Sequence, residues 1–272
     1  MFAREPGATV RPPAVAGSFY PSNSKELRAA VDALLTQAEK AGRLELVGVI
    51  APHAGYIYSG PIAGNAFAPL ASSATVFERV LLIGPAHYVP VRGVAAPSSA
   101  AFATPLGNVK VDQRAIAALV EAELVSIDDR AHEPEHSLEV ELPFLQRVLG
   151  LFSLIPLLAG DAPPEQVAAI IDAVLDERTF LVISTDLSHY LNFASAKERD
   201  VVTAKAIERL AFDRLGPYDA CGYAALNGAL YAAHCRQWSI GRLDLRNSGE
   251  TSGDRSRVVG YGAWALSAAP AA

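Results

Sequence analysis

Five short apolar runs spaced through the chain constrain what it can fold into. They are LELVGVIA at 44–51, RVLLIG at 79–84, FSLIPLL at 152–158, TFLVIS at 179–184 and VVGYGAWAL at 258–266. The first ends at Pro52 and the second at Gly84-Pro85. Runs this short and this continuously apolar fit strands covered on both faces. Helical patterns fill the gaps at roughly 112–123, 137–149, 164–176, 195–212 and 219–233. Pro143 lies inside the second of these, where it kinks the helix or marks its start. An earlier helix is predicted after Asn23, with Glu26 three residues on and Leu27, Val31, Leu34 and Leu35 on one face. Strands alternating with helices predict an α/β layer architecture. Residues 1–22, rich in Pro and Gly, read as an irregular N-terminal arm. With no linker, repeat or low-complexity stretch, residues 1–272 read as one domain.

Charge and cysteine content narrow the function classes. The 23 basic and 29 acidic residues give a net charge of −6, which disfavours a nucleic-acid binder. No apolar run is long enough to span a bilayer, and the N-terminus lacks the apolar core of a signal peptide. Cys221 and Cys235 form no CxxC, which fits a cytoplasmic protein better than a disulfide scaffold. Both fall in a helical pattern and read as core packing.

Four of the six histidines sit where apolar runs give way to small or turn-forming residues: His53, His87, His136 and His189. Catalytic groups in open α/β folds collect at the carboxyl ends of strands. His53 and His87 share a local pattern, an apolar strand followed by proline, and stand equally as metal ligands or satisfied loop histidines. His189 lies in STDLSHY, where Asp186 could orient its imidazole. A Ser/Asp/His triad is disfavoured because the chain has no G-x-S-x-G elbow. His136, among Glu133, Glu135, Glu139 and Glu141, taken alone reads as a surface helix cap. The polar loop 247–254 carries Glu250 and Asp254, either of which could complete a metal site. GYGAWA at 260–265 matches G-x-G-x-x-A, but no crossover helix can follow it, so it is not read as a dinucleotide site. His132 and His234 lack the strand-end context and read as structural.

With these motifs in order, the chain resembles the Memo family, the protein B component of the AmmeMemoRadiSam system. The resemblance runs through VRPPAVAGSFYP (10–21), APHAGYIYSG (51–60), LIGPAH (82–87), EHSLEVELPF (135–144), STDLSH (184–189) and NSGETSGD (247–254). It implies a central mixed sheet flanked by helices, similar in fold to the class III extradiol dioxygenases, the LigB-like proteins. Those enzymes bind Fe(II) through two histidines and a glutamate. By resemblance His53 and His87 are the metal histidines, His189 the acid–base histidine and His136 a further active-site histidine. Animal Memo proteins place a cysteine near the third ligand position. Here Glu250 and Thr251 occupy that neighbourhood, so Glu250 is the expected third ligand and Asp254 the alternative. The implied cofactor is Fe(II), with Cu or Zn as alternatives, and the implied activity a metal-dependent, dioxygenase-like oxidation of an unidentified substrate. The alternatives are a non-catalytic module binding a peptide or anion in the same pocket, and a metal hydrolase. The system's name implies association with AMMECR-type and radical SAM proteins.

Overall fold

The five apolar runs form strands. The computed structural model describes residues 9–38, 45–73 and 75–268, so residues 1–8 of the arm and Leu44 of the first run lie outside the described residues. The elements follow in this order: β1 (Val10–Arg11), α1 (Ser24–Gln37), β2 (Leu46–Ala51), α2 (Tyr56–Phe67), β3 (Arg79–Pro85), β4 (Val94–Ala96), β5 (Ala101–Thr104), β6 (Gly107–Val111), α3 (Gln113–Glu121), β7 (Ser126–Ile127) and α4 (Asp129–His132). There follow α5 (Leu142–Leu149), β8 (Ser153–Ala159), α6 (Pro164–Val174), β9 (Thr179–Ser184), β10 (His189–Leu191), α7 (Phe193–Glu208), α8 (Tyr223–Cys235), β11 (Ser239–Asn247), α9 (Ser248–Thr251) and β12 (Val258–Ser267).

One mixed sheet runs in the order β1-β5-β6-β8-β3-β9-β2-β12-β10, and β11 pairs with β12. Its centre, β6-β8-β3-β9-β2, is parallel, whereas β12 runs antiparallel to β2. Val80–Ile83 on β3 and Phe180–Ile183 on β9 are fully buried. Unbroken burial along a strand requires cover on both faces, and it is why these runs show no polar alternation. Helices supply the cover. α2 packs on β2, β11 and β12, while α8 lies against β3 and β9 and is backed by α6. No helix among the described residues is long and apolar enough to cross a membrane.

Local chemistry sets several boundaries. Asn23 caps α1 by accepting from the backbone N–H groups of Lys25 and Glu26, at 2.9 and 3.2 Å. Pro143 occupies the first turn of α5, where a missing N–H is harmless, so it marks the helix start. Among the elements not read from the sequence are α2 and β11. α2 contains Pro61 and is buried nearly all round, so it has no amphipathic period to detect. β11 is only partly buried and carries charged residues along its length. The described part of the arm, expected to be irregular, holds the two-residue β1 and is anchored. Arg11, on β1, forms a buried ion pair with Glu139 at 2.7 Å, and Glu139 also accepts from Tyr20 Oη and the backbone of Ala14 and Val15.

Candidate metal centre

The order β3-β9-β2 sets three carboxyl ends side by side. Parallel pairing aligns Ala51 with Ser184 and Ile83 with Ile183. Hence the loops carrying His53, His87 and the 185–189 segment leave the same edge of the sheet, where α/β folds place their sites. A fourth segment, 133–138, reaches that edge because residue 84 is glycine. A Cβ there would lie 2.9 Å from both Leu138 Cδ2 and Ser137 Oγ. Ser137 Oγ then donates to the Pro85 carbonyl at 2.8 Å, tying the segment to the end of β3.

His53, His87 and His136 meet there. Their ring centroids are 5.2 Å (53–87), 5.5 Å (53–136) and 4.7 Å (87–136) apart. One donor atom from each lies within 4.8 Å of the other two, so the three could hold a metal ion. The His87 and His53 rings are held from behind. Glu135 accepts from His87 Nδ1 at 2.9 Å and from the backbone N–H groups of His87, His136 and Ser137. Burial alone would raise this carboxyl, but the His87 and Ser137 contacts outweigh it and hold it at about 2. A carboxylate on Nδ1 fixes the proton there and frees Nε2 for ligation. His53 places Nδ1 2.7 Å from Ser184 Oγ. Burial, then the neighbouring His87 and His136, push the His53 pKa well below its ordinary value, and burial brings His136 to about 4. At neutral pH His53 and His136 are therefore neutral imidazoles, the form that binds metal.

His189 joins the same cavity, of about 620 Å³, with Tyr88, Tyr190, Tyr261 and Arg257 also on its walls. Its Nδ1 donates to the Leu187 carbonyl at 2.8 Å, and burial lowers its pKa. A larger cleft of about 750 Å³, lined by Phe77, Asp176 and Trp238, has no histidine or cysteine among its described lining residues. The chemistry is concentrated in the smaller cavity.

Several side chains sit elsewhere than expected. Glu250 is exposed and does not line the cavity. It completes a capping box on α9: Asn247 caps the helix while Glu250 Oε2 accepts from the Asn247 N–H at 3.0 Å. The structure therefore joins His136, not Glu250, to the other two histidines. Asp254 lines the cavity, but its Oδ1 accepts from Ser256 N and Oγ at 2.9 and 2.8 Å. Asp186 does not touch His189. Its Oδ1 accepts from the His53 N–H at 2.9 Å, and burial raises its carboxyl to about 7. His136 is not a surface cap, because Glu135, Glu139 and Glu141 around it are buried.

The cysteine reading is corrected as well. Cys221 precedes α8 and places Sγ 3.3 Å from His53 Nε2, and Cys235 is exposed at the helix end. Gly222 permits that approach, since a Cβ there would lie 2.8 Å from the Ser184 carbonyl. His132 is buried and structural, with Nε2 3.1 Å from the Ala95 carbonyl. Glu135, Glu141, Ser184 and Cys221 are the site residues that the sequence reading missed. The one available signal was EPEHSLEVE, whose closely spaced carboxylates flank a histidine and need not face solvent.

Comparison with known proteins gives the family. The profile of the family described as "Memo-like protein" matches residues 11–265. A MEMO1 family protein of Methanopyrus kandleri is 38% identical, over 93% of this chain and 97% of its own length. Another, of Ignicoccus hospitalis, is 35% identical over 93% and 97%. A solved structure of an uncharacterized Escherichia coli K12 protein overlays with TM-score 0.48 at 12% identity, covering 81% of this chain and 99% of that one. On the profile match and the near-full-length relatives, the chain belongs to the Memo-like family.

Proposed function

We propose that this protein holds one first-row transition metal on His53, His87 and His136 and uses it, with His189, for oxidative chemistry on a small ligand. The observation that carries the metal is the convergence of three imidazole donors within 4.8 Å. The donor set fits. Imidazole suits Fe, Cu and Zn, and Fe(II) is the metal that the resemblance to extradiol dioxygenases favours. His87 is backed by a carboxylate and His53 by a hydroxyl, the supports usual behind metal-bound histidines. Three protein ligands leave positions open for a ligand and for O₂, and a bound metal would supply Lewis acidity and redox capacity there.

The chain's own residues do the rest. Glu135 and Ser184 orient the His87 and His53 rings. With Nδ1 committed to the Leu187 carbonyl, His189 keeps Nε2 free to take a proton from a ligand hydroxyl and return it later. Tyr88 and Tyr190 offer faces to a planar ligand, and Arg257, 5.0 Å over the Tyr190 ring, offers a cation to an anionic group.

Anaerobic loading with Fe(II), Cu or Zn²⁺, followed by oxygen uptake against a panel of small phenols, tests this reading. Retained Fe(II) and oxygen uptake that falls by about 10²-fold in His189→Gln support it. Turnover with Zn²⁺ and no need for O₂ would make the site a hydrolase. Ligand binding without any metal would make it a binding pocket. Copurification with AMMECR-type and radical SAM proteins would support a shared modification pathway.

A further inference from the structure

Two carboxyl groups stand behind the histidine cluster, and they act differently. Glu135 meets His87 directly. Glu141 makes no hydrogen bond to a histidine. It is fully buried, its Oε2 has no hydrogen-bond partner, and its Oε1 lies 3.0 Å from Ser184 Oγ. Ser184, also fully buried, has three close neighbours: His53 Nδ1 at 2.7 Å, the Ser137 carbonyl at 2.6 Å and Glu141 Oε1 at 3.0 Å.

A hydroxyl has one hydrogen and two lone pairs. The Ser137 carbonyl can only accept, and at 2.6 Å two oxygens with no hydrogen between them repel, so the Ser184 hydrogen goes there. Both lone pairs must then be met by donors. His53 supplies Nδ1–H, and Glu141 can supply a hydrogen only as a neutral acid. We propose that Ser184 and Glu141 are positioning residues for His53, a relay in which Glu141 Oε1–H and His53 Nδ1–H both donate to Ser184 Oγ and leave the His53 Nε2 lone pair on the cluster side. The acid's surroundings agree with the geometry: burial, with Asp186 adding to it, outweighs the Ser184 contact and pushes the Glu141 pKa well above the carboxylate range. The cluster thus has unlike supports, an ionised carboxylate behind His87 and a neutral hydroxyl–acid pair behind His53. That makes His53 the less electron-rich donor, because a neutral partner draws the Nδ1 proton less than a carboxylate does.

This assignment rests on the metal reading for its consequence but not for its direct readout. The metal-free protein is compared with Ser184→Ala, Glu141→Gln and Glu141→Leu. Long-range ¹H–¹⁵N NMR reports the His53 tautomer, and Zn²⁺ competition reports affinity. A glutamine amide donates to Ser184 Oγ as the neutral acid does, whereas leucine cannot. Expected is a single Nδ1–H tautomer for His53 in the unsubstituted protein and in Glu141→Gln, and a mixed tautomer in Ser184→Ala and Glu141→Leu. Expected Zn²⁺ affinity falls by roughly ten- to hundredfold in Ser184→Ala and Glu141→Leu but stays within about threefold in Glu141→Gln. An Nε2–H tautomer in the unsubstituted protein would overturn the relay. So would Ser184→Ala with tautomer and affinity unchanged, or Glu141→Gln as damaging as Glu141→Leu. If Ser184→Ala fails to fold, the two Glu141 variants decide. If the unsubstituted protein takes no Zn²⁺, Cu or Fe(II), the metal reading falls and the tautomer still decides the relay.

Discussion

Glu250 lies away from the histidine cluster and His136 lies in it, and both placements have local causes. An Asn-x-x-Glu run closes on itself as a capping box, so the Glu250 carboxylate is spent on the Asn247 N–H. Glu250→Ala should therefore cost about 1 kcal/mol of stability, measured by urea denaturation, and leave metal affinity unchanged. Cys221 is a second case. Its Sγ lies 3.3 Å from His53 Nε2 and 3.6 Å from the Asp186 carbonyl, and burial keeps it a thiol. It is absent from the trio whose donors all lie within 4.8 Å of one another. The S–H would compete with a bound metal for Nε2 and would turn to the Asp186 carbonyl if one bound. Cys221→Ala is expected to leave Zn²⁺ affinity unchanged or raise it by up to about fivefold, the equivalent of about 1 kcal/mol for the lost S–H contact. A fall in affinity would make Cys221 a ligand. Neither role was legible in the sequence. A thiol in a helical pattern looks like core, and a loop carboxylate looks free until its own backbone claims it.

At the scale of elements, the site depends on loops pressed against strand ends. The strands β2, β3, β8, β9 and β12 were readable because burial on both faces leaves an unbroken apolar signature. His53, His87 and His189 were found because they follow those strands. The approach of segment 133–138 was not readable, because it depends on tertiary contact at Gly84. Gly84→Ala should cost about 1–3 kcal/mol, since its Cβ would press on Leu138 and Ser137 at 2.9 Å, and it should weaken metal binding by displacing His136. Gly241→Ala is the control. A Cβ at that position meets nothing within 4 Å, so stability should not fall and metal binding should be unchanged. Equal losses in both variants, read by thermal unfolding and Zn²⁺ titration, would show that the approach at Gly84 does not matter.

For the whole molecule, buried neutral histidines tie stability to pH. His132 is buried away from the cavity, and burial lowers its pKa from 6.5 to about 4. The unfolded chain takes up that proton near 6.5 while the fold refuses it until about 4. His132's contribution is thus fully present above pH 6.5 and lost as pH falls towards 4, by about 3 kcal/mol across that window. Asp186 and Asp200, raised by burial from 3.8 to about 7 and about 6, slope the opposite way. Comparing the unsubstituted protein with His132→Gln isolates the histidine's share: its advantage in urea midpoint over the variant should shrink between pH 7 and 4.5. A constant difference would mean that His132 takes up its proton at the same pH in the fold as in the unfolded chain.

Calorimetric Zn²⁺ titration of metal-free protein, His136→Ala and Glu250→Ala is the most direct test of the three-histidine centre. Expected is one equivalent bound by the unsubstituted protein and by Glu250→Ala with equal affinity, and a loss of at least about hundredfold in His136→Ala. No binding by the unsubstituted protein, or retention in His136→Ala with loss in Glu250→Ala, would contradict it.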